Sequence, residues 1–334
     1  MKQRIPYILP LVMIALAVVA ALSTMGKTVE YRKVSGMVFG TSYNITYEAG
    51  EALHEEIQAV LDSVNNSLSP FNEKSIITAV NENRNVRVDE MFTEVFRLSR
   101  QVNADTDGAF DITVAPMVNA WGFGFKSGYM PTASQVDSLL EIVGMEKVTL
   151  EGGRIRKADL RVMLDCSAIA KGYAVDRVAQ MLRARGVENM MVEIGGEIVA
   201  HGKNGSGKVW RIGVTKPNDD TLSVNTELQT VLSLTDVAMA TSGNYRNFYY
   251  CDGKKYSHTI DPKTGHPVQQ SILSATVIAP SCAMADAYAT SFMVMGYDKA
   301  MEVLKRHPEM KAYLIYTDGK GDNRIWSSPG LTDE

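Results

Sequence analysis

From Asn189 to Ile260 the chain carries four successive segments of strand character, "NMMVEIGGEIVAHG", "KVWRIGVTK", "TVLSLTDVAMAT" and "RNFYYCDGKKYSHTI", with no helix-period segment between them. Parallel neighbours need a crossover of a dozen or more residues, usually a helix, so strands that follow one another this closely pair antiparallel. That excludes a regular βαβ alternation. Helical spacing is confined to other parts of the chain. Leu53, Ile57, Val60, Leu61 and Val64 recur on one face of "EALHEEIQAVLDSVNNSLS". Asp89 to Gly108 gives a second amphipathic helix, and Ala168 to Arg185 a third that stops at Gly186, a favourable C′ residue. A last pair, Cys282 to Met295 and Asp298 to Arg306, is broken by Gly296. Met37 to Ala49 alternates like a strand, and Asp252-Gly253 marks a hairpin. The expected fold class is α+β, a mainly antiparallel sheet with packed helices. No repeat, linker or long charge run divides residues 27–334, which read as one domain.

The N-terminus has a different character. Lys2 and Arg4 precede an uncharged stretch, Ile5 to Gly26, so residues 1–26 read as a signal-anchor or a signal peptide. The stretch is long for a signal core and just spans a bilayer. No clean A-x-A stands before Thr24 and no cysteine is there to accept a lipid, which favours an uncleaved anchor. The upstream charges put the N-terminus in the cytoplasm and the rest of the chain beyond the membrane. A net charge of −4 without basic runs argues against nucleic acid. Three widely separated cysteines, Cys166, Cys251 and Cys282, form no zinc pattern and are expected as buried free thiols.

Five features bear on chemistry. "GKNGSGKV", Gly202 to Val209, nearly matches a phosphate-binding loop, but Val209 replaces the metal-binding hydroxyl and a strand follows where a helix N-terminus is needed. It is read as a hairpin loop. In "ADAYATSF", Asp286 and Thr290 stand at i and i+4, so two hard oxygens share one helix face. They suit Mg²⁺ completed by water and phosphate, or else Asp286 simply faces the helix dipole. In "LDCSAIAKGYAVD", Lys171 falls near a helix N-terminus, where a cation is disfavoured unless an anion docks beside it; a solvated lysine is the plain alternative. Asp165 just ahead is a natural acceptor for free amides. Small residues around Asp111 in "TDGAFDITV" allow close approach of a flat ligand, and a structural turn is equally consistent. Finally, "KYSHTIDPKTGHP" sets His258 at the end of a strand before a rigid turn, as one of only five histidines, either a packing residue or a general base.

Taken together and in order, "VFGTSY", "LSPFNEKSIITAVN", "DGAFDITVAPMVNAWGFG", "LDCSAIAKGYAVD", "EIGGEI", "TSGNYRN", "HTIDPKTG" and "ADAYAT" resemble the ApbE family, the FAD:protein FMN transferases, over roughly Val34 to Trp326. The resemblance implies a T-fold-like core. It also implies an enzyme that uses Mg²⁺ and FAD, moves FMN to a threonine or serine hydroxyl of a target protein through a phosphodiester bond, and releases AMP. Typical targets are flavin-carrying subunits of membrane redox complexes, the Na⁺-translocating NADH:quinone reductase and Rnf types. The implied location is the bacterial inner membrane, with the catalytic domain on the periplasmic side.

By the same resemblance, Asp286, Thr290 and the backbone carbonyl of Ala168 match the metal ligands. Asp165, Lys171, Ala109, Phe110, Asp111 and Ile260 match positions lining the FAD site, and Phe71 an aromatic set against flavin or adenine. Phe39 stands where relatives commonly place Met before Gly-Thr, and Ala289 where some place a second Asp. His258 lies beside the FAD pyrophosphate in the resembling enzymes, which makes it the candidate general base. His266 is read as a surface residue. Two other functions stand as alternatives: an FAD pyrophosphatase, the same metal site with water as acceptor, that yields FMN and AMP, and a non-catalytic extracytoplasmic flavin-binding protein, which would not need His258, Asp286 and Thr290.

Overall fold

The computed structural model describes residues 30–125, 130–217, 227–245 and 248–332. The expected anchor or signal at 1–26 lies outside them, as do Arg246 and Asn247 of the "TSGNYRN" stretch. Among the described residues, no helix is long and apolar enough to cross a membrane.

β1 (Glu30–Val38) and β2 (Thr41–Ala49) form a hairpin. The single strand expected over Met37–Ala49 is therefore the end of one strand and the whole of the next. The break lies at Phe39-Gly40, whose φ angles of 52° and 74° give the two-residue turn that matches strand twist. Alternation persists through such a turn, so the periodicity alone does not reveal it. The remaining strands are β3 (Val148–Glu151), β4 (Arg154–Lys157), β5 (Met190–Ile194), β6 (Glu197–His201), β7 (Trp210–Thr215), β8 (Leu228–Leu234) and β9 (Val237–Gly243). They continue with β10 (Phe248–Cys251), β11 (Lys254–Ser257), β12 (Ile272–Ala279), β13 (Lys311–Thr317) and β14 (Asn323–Ser327). Eight of them form one sheet in the order β1-β2-β5-β6-β9-β12-β13-β14, with every neighbouring pair antiparallel. The other six form three two-stranded ribbons, β3-β4, β7-β8 and β10-β11. The β10-β11 turn falls at Asp252-Gly253, as the sequence predicts, with both φ angles positive.

Period-two alternation divides the sheet into two faces. Val199, Ala238, Ala240, Val277, Ala312 and Leu314 join the larger core with the helices. The intervening Ile198, Met239, Ile278, Tyr313 and Ile315 pack on the other face against Trp210, Ile212, Val214 and Leu232 of the β7-β8 ribbon. The Gly-rich stretch from Gly202 is therefore not a hairpin loop. It carries the chain from β6 in the sheet to β7 in the ribbon, strands that do not pair with each other. The Asn204 side chain ties it by accepting from the Ser206 and Lys208 amides.

The helices are α1 (His54–Leu68), α2 (Ile76–Asn81), α3 (Glu90–Asp105), α4 (Ala115–Ala120), α5 (Ala133–Leu140), α6 (Ser167–Ala184), α7 (Cys282–Met295) and α8 (Tyr297–Arg306). α2, α4 and α5 are six to eight residues long, too short to impose a legible period. α6 and α7 meet at Gly172, where a Cβ would stand 2.3 Å from the Cys282 carbonyl oxygen and 2.7 Å from its carbon. Four residues on, Asp176 fastens the same junction, accepting from the Cys282 amide at 2.9 Å and the Ala283 amide at 2.8 Å. The Ser281 hydroxyl caps α7 through the Met284 amide. All three cysteines are free; Cys166 and Cys282 are buried as expected, whereas Cys251 on the β10-β11 ribbon is only half-buried.

Gly172→Ala tests this junction through the sign of its effect. Alanine in an ordinary helix interior stabilises by up to about 1 kcal/mol relative to glycine. Here the methyl meets backbone that cannot rotate away, and we expect a loss of about 1–3 kcal/mol, measured by urea unfolding.

Candidate active site

The α6-α7 contact sets two functional side chains against each other. Lys171 precedes the contact glycine, and Asp286 lies one turn into α7. The Asp286 carboxylate is 2% exposed, and its Oδ2 accepts from the Gly172 amide at 3.0 Å. The Lys171 Nζ stands 3.8 Å from that same oxygen and 3.2 Å from Oε1 of Glu197, the first residue of β6. Lys171, the fifth residue of α6, thus stands just past the first helical turn and is half-buried, with its ammonium facing two buried carboxylates. Burial opposes its charge, but the Asp286 and Glu197 carboxylates outweigh that and hold it above the ordinary lysine range. Burial raises Asp286 and Glu197 above the usual carboxylate range, and Lys171 works against the rise in both.

Thr290, one turn beyond Asp286 on the same face of α7, lies 3.2 Å from the Ser242 hydroxyl of β9. Two residues on, the Asn244 Oδ1 accepts from the Thr259 hydroxyl at 2.9 Å. One short stretch, Ser242 to Asn244, thus joins the Asp286–Thr290 face to the residue beside His258. The half-buried His258 directly follows β11, and the chain then turns back on itself. Ile260 bridges Pro267, and the Gly265 amide donates to the Asp261 carbonyl at 2.8 Å with Gly265 at φ 71°. This turn rests on α4 and α5. The Trp121 indole N–H donates to the Gly265 carbonyl at 2.7 Å, and a Cβ on Gly265 would stand 2.8 Å from Met117 and Val136. Stacked rings carry the support further: Trp121 on Tyr256, Tyr256 on Tyr249 and Tyr249 on Phe123, with centroids 5.1–5.5 Å apart. His266 lies against Trp121 at 5.5 Å, while its position is exposed, as read from the sequence.

Ala109 is buried beside Val268 and Val294, Phe110 is buried in the main core, and Ile260 is buried with Met117 and Trp121. The Asp111 carboxylate accepts from the Thr113 amide at 2.7 Å, the Thr113 hydroxyl at 2.6 Å and the Met145 amide at 3.1 Å. Its side chain thus builds the turn, and burial raises it against those bonds. Asp165 accepts from the Ser167 amide at 2.8 Å, and its own amide donates to the Ile112 carbonyl at 2.7 Å, joining the "LDCSA" and "DITV" stretches. Phe39 occupies the β1-β2 turn and packs on the main core. That turn adjoins the β5-β6 turn, where the Gly195 amide donates to the Ser42 carbonyl at 3.0 Å. Phe71 is 65% exposed and edge-on to Phe125 at 6.2 Å.

The donor set suits a hard divalent cation. Asp286 supplies a buried carboxylate, Thr290 a hydroxyl and Ala168 a carbonyl. α-Helical geometry aims the Gly172 amide at that carbonyl, yet this amide also serves Asp286, so the two oxygens converge on one N–H. Among the described residues, no group of three or more His, Cys, Asp or Glu side chains could hold a metal. A cation here would therefore draw its remaining ligands from substrate phosphate and water, as Mg²⁺ does. Burial pushes the Cys166 and Cys282 thiols up, which leaves neither ionised as a nucleophile.

The ApbE family model matches residues 39–314. The chain belongs to the ApbE family. The FAD:protein FMN transferase of Haemophilus influenzae is 37% identical over 325 residues, covering 92% of this chain and 93% of its own length. The same-named protein of Escherichia coli K12 is 34% identical, covering 90% and 88%. The flavin transferase ApbE from Vibrio cholerae superposes with a TM-score of 0.82 at 36% identity, covering 91% of this chain and 98% of its own. The Pseudomonas stutzeri flavinyl transferase ApbE in its apo form gives 0.79 at 32% identity, with 90% and 95% covered.

Within this ApbE site, sequence reasoning missed Glu197, Asp176 and the Ser242–Asn244 link. Glu197 left a signal. It opens the apolar run "EIVA" directly after Gly195-Gly196, while no carboxylate stands three or four residues from Lys171 along its own helix.

Trp121→Phe keeps the ring stack and removes one N–H. The Gly265 carbonyl then loses its donor, so we expect about 1–3 kcal/mol of destabilisation in urea unfolding. Amide exchange should accelerate most within residues 259–268, read by hydrogen exchange with mass spectrometry.

Proposed function

We propose that the protein transfers FMN from FAD to a threonine or serine hydroxyl of a target protein and releases AMP, with Mg²⁺ held by Asp286, Thr290 and the Ala168 carbonyl. The observation that carries this reading is the juxtaposition just described. A buried carboxylate and a hydroxyl share one face of α7, a lysine ammonium stands against that carboxylate, and Ser242 to Asn244 ties the face to the segment carrying His258. The curated relatives' name, FAD:protein FMN transferase, supports the same reading.

His258 takes the proton from the incoming hydroxyl as its oxygen bonds to the FMN phosphorus. The phosphoanhydride bond to AMP breaks in the same exchange, and AMP leaves with the bridging oxygen. Lys171 provides positive charge beside the diphosphate. The Trp121-supported turn keeps His258 from swinging away, so positioning and fixed charge supply most of the acceleration. Mg²⁺ bound at Asp286 would neutralise the diphosphate and stabilise the leaving group.

The acceptors we propose are flavin-carrying subunits of membrane redox complexes of the Na⁺-translocating NADH:quinone reductase or Rnf type. The proposed location is the bacterial inner membrane, with residues 27–334 as one periplasmic domain. The charged start followed by the uncharged Ile5 to Gly26 stretch supports that placement. An anchored chain should fractionate with membranes and resist high salt, because apolar burial is not screened. Soluble periplasmic protein beginning near Thr24 would instead mark a cleaved signal.

The reaction is tested by incubating the protein with FAD, Mg²⁺ and a candidate acceptor subunit, followed by intact-mass analysis. His258→Ala should slow transfer about 10²–10⁴-fold, the range for loss of a general base, with little change in FAD affinity. Asp286→Ala should abolish transfer. FMN and AMP appearing with no mass gain on any acceptor would favour hydrolysis, and FAD binding without turnover would favour a plain flavin carrier.

A further inference from the structure

Of the groups in the buried cluster, Glu197 is the one to which neither the resemblance nor the proposed reaction gives a part. Its side chain is 3% exposed, an unusual place for a carboxylate at the start of a strand. Oε1 faces Lys171, whereas Oε2 is buried without a hydrogen-bond partner. That second oxygen lies in the corner where the β5-β6 turn crosses β2: a Cβ on Gly195 would stand 3.3 Å from it and 2.8 Å from the Thr41 methyl. A buried carboxylate with one orphaned oxygen is costly to keep, and a purely structural strand position would be filled better by an apolar residue.

The distances indicate its use. The Lys171 ammonium has two carboxylates within reach and stands nearer Glu197, at 3.2 Å, than Asp286, at 3.8 Å. Any divalent cation bound by Asp286 competes with this ammonium for the same carboxylate. Were Asp286 the only anion nearby, the ammonium would close on it, because removing the partner of a buried carboxylate is costly. A second carboxylate facing the ammonium eases that conflict, since Glu197 Oε1 takes the nearer contact with Lys171 and leaves Asp286 the longer one.

We propose that Glu197 is a positioning residue that holds the Lys171 ammonium off Asp286, and so keeps the Asp286 carboxylate available to a divalent cation. The inference rests on the metal reading above and adds a residue to it. With Glu197 in place, Lys171 stays beside the site as a fixed positive charge. Without that anion, Lys171 becomes an internal competitor of the metal.

The test uses the full-length protein in detergent and Mn²⁺ alone as the probe, titrated by electron paramagnetic resonance, with folding checked by circular dichroism. Glu197→Gln should weaken Mn²⁺ binding about 10–100-fold, the range for loss of an outer partner of a metal ligand. Lys171→Met should bind Mn²⁺ at least as tightly as the wild type. The double variant, with the competitor gone, should return to within about twofold of wild type, the scatter of additive changes. A simple packing role for Glu197 predicts no such rescue. Unchanged binding in Glu197→Gln, or a double variant as weak as that single one, overturns the inference while the metal reading stands. If Glu197→Gln does not fold, the other two variants decide: tenfold weaker binding in Lys171→Met or in the double variant overturns it. Wild-type protein that takes up no Mn²⁺ overturns the metal reading and this inference together.

Discussion

The backbone contact between α6 and α7 at Gly172 is the constraint on which the site depends. With no side chain at that position, α6 approaches the Cys282 carbonyl more closely than any Cβ would allow. Only at that separation does the Gly172 amide reach the Asp286 carboxylate at 3.0 Å. The lysine one residue earlier, 28% exposed, then sets its ammonium against two buried carboxylates. Asp176 and Ser281 hold the same junction by satisfying amides at the start of α7, groups that a buried helix end would otherwise leave unpaired. A helix crossing thus becomes an electrostatic arrangement, because close packing and charge placement use the same few residues.

The sheet brings the remaining groups to this crossing. Antiparallel neighbours place β6 beside β9 and β9 beside β12, so residues far apart in sequence meet at one end of the layer. Glu197 arrives at the start of β6, immediately after a two-glycine turn. Ser242 arrives near the end of β9, and Asn244 just beyond it reaches the hydroxyl of Thr259. The β10-β11 ribbon, outside the main sheet, is fastened by ring stacking and by a hydrogen bond from the Tyr249 hydroxyl to the Trp121 carbonyl at 3.2 Å. His258 therefore stands beside a turn with its own support, and polar contacts through Ser242 and Asn244 link that segment to the helix crossing. This division of labour suits the proposed transfer, in which the group proposed to activate the acceptor and those proposed to hold the donor must meet without being fused.

Much of this was legible in the sequence. Helix-free succession of strands after Asn189 required antiparallel pairing, and the apolar spacing located α1, α3, α6, α7 and α8 to within a few residues. Asp286 and Thr290 could be placed on one face because a helix fixes the i, i+4 relation locally. The Asp252-Gly253 and Asp261-to-Gly265 turns were likewise readable, since proline and glycine restrict φ residue by residue. Eight ordered motifs identified the family before any contact was known.

What tertiary structure alone decided concerns partners distant along the chain. The alternation from Met37 to Ala49 could not reveal the turn at Phe39-Gly40, because a two-residue turn leaves the period intact. The Gly202 stretch looked like a hairpin loop, and only the placement of β7 and β8 on the opposite face made it a crossover. Lys171 read equally well as a solvated residue or an anion contact. Its actual partners, Glu197 and Asp286, lie 26 and 115 residues further along the chain. Sequence fixes what each residue can do chemically and which face of a local element it occupies. It does not fix which distant charge stands beside it, because that follows from where the whole layer closes.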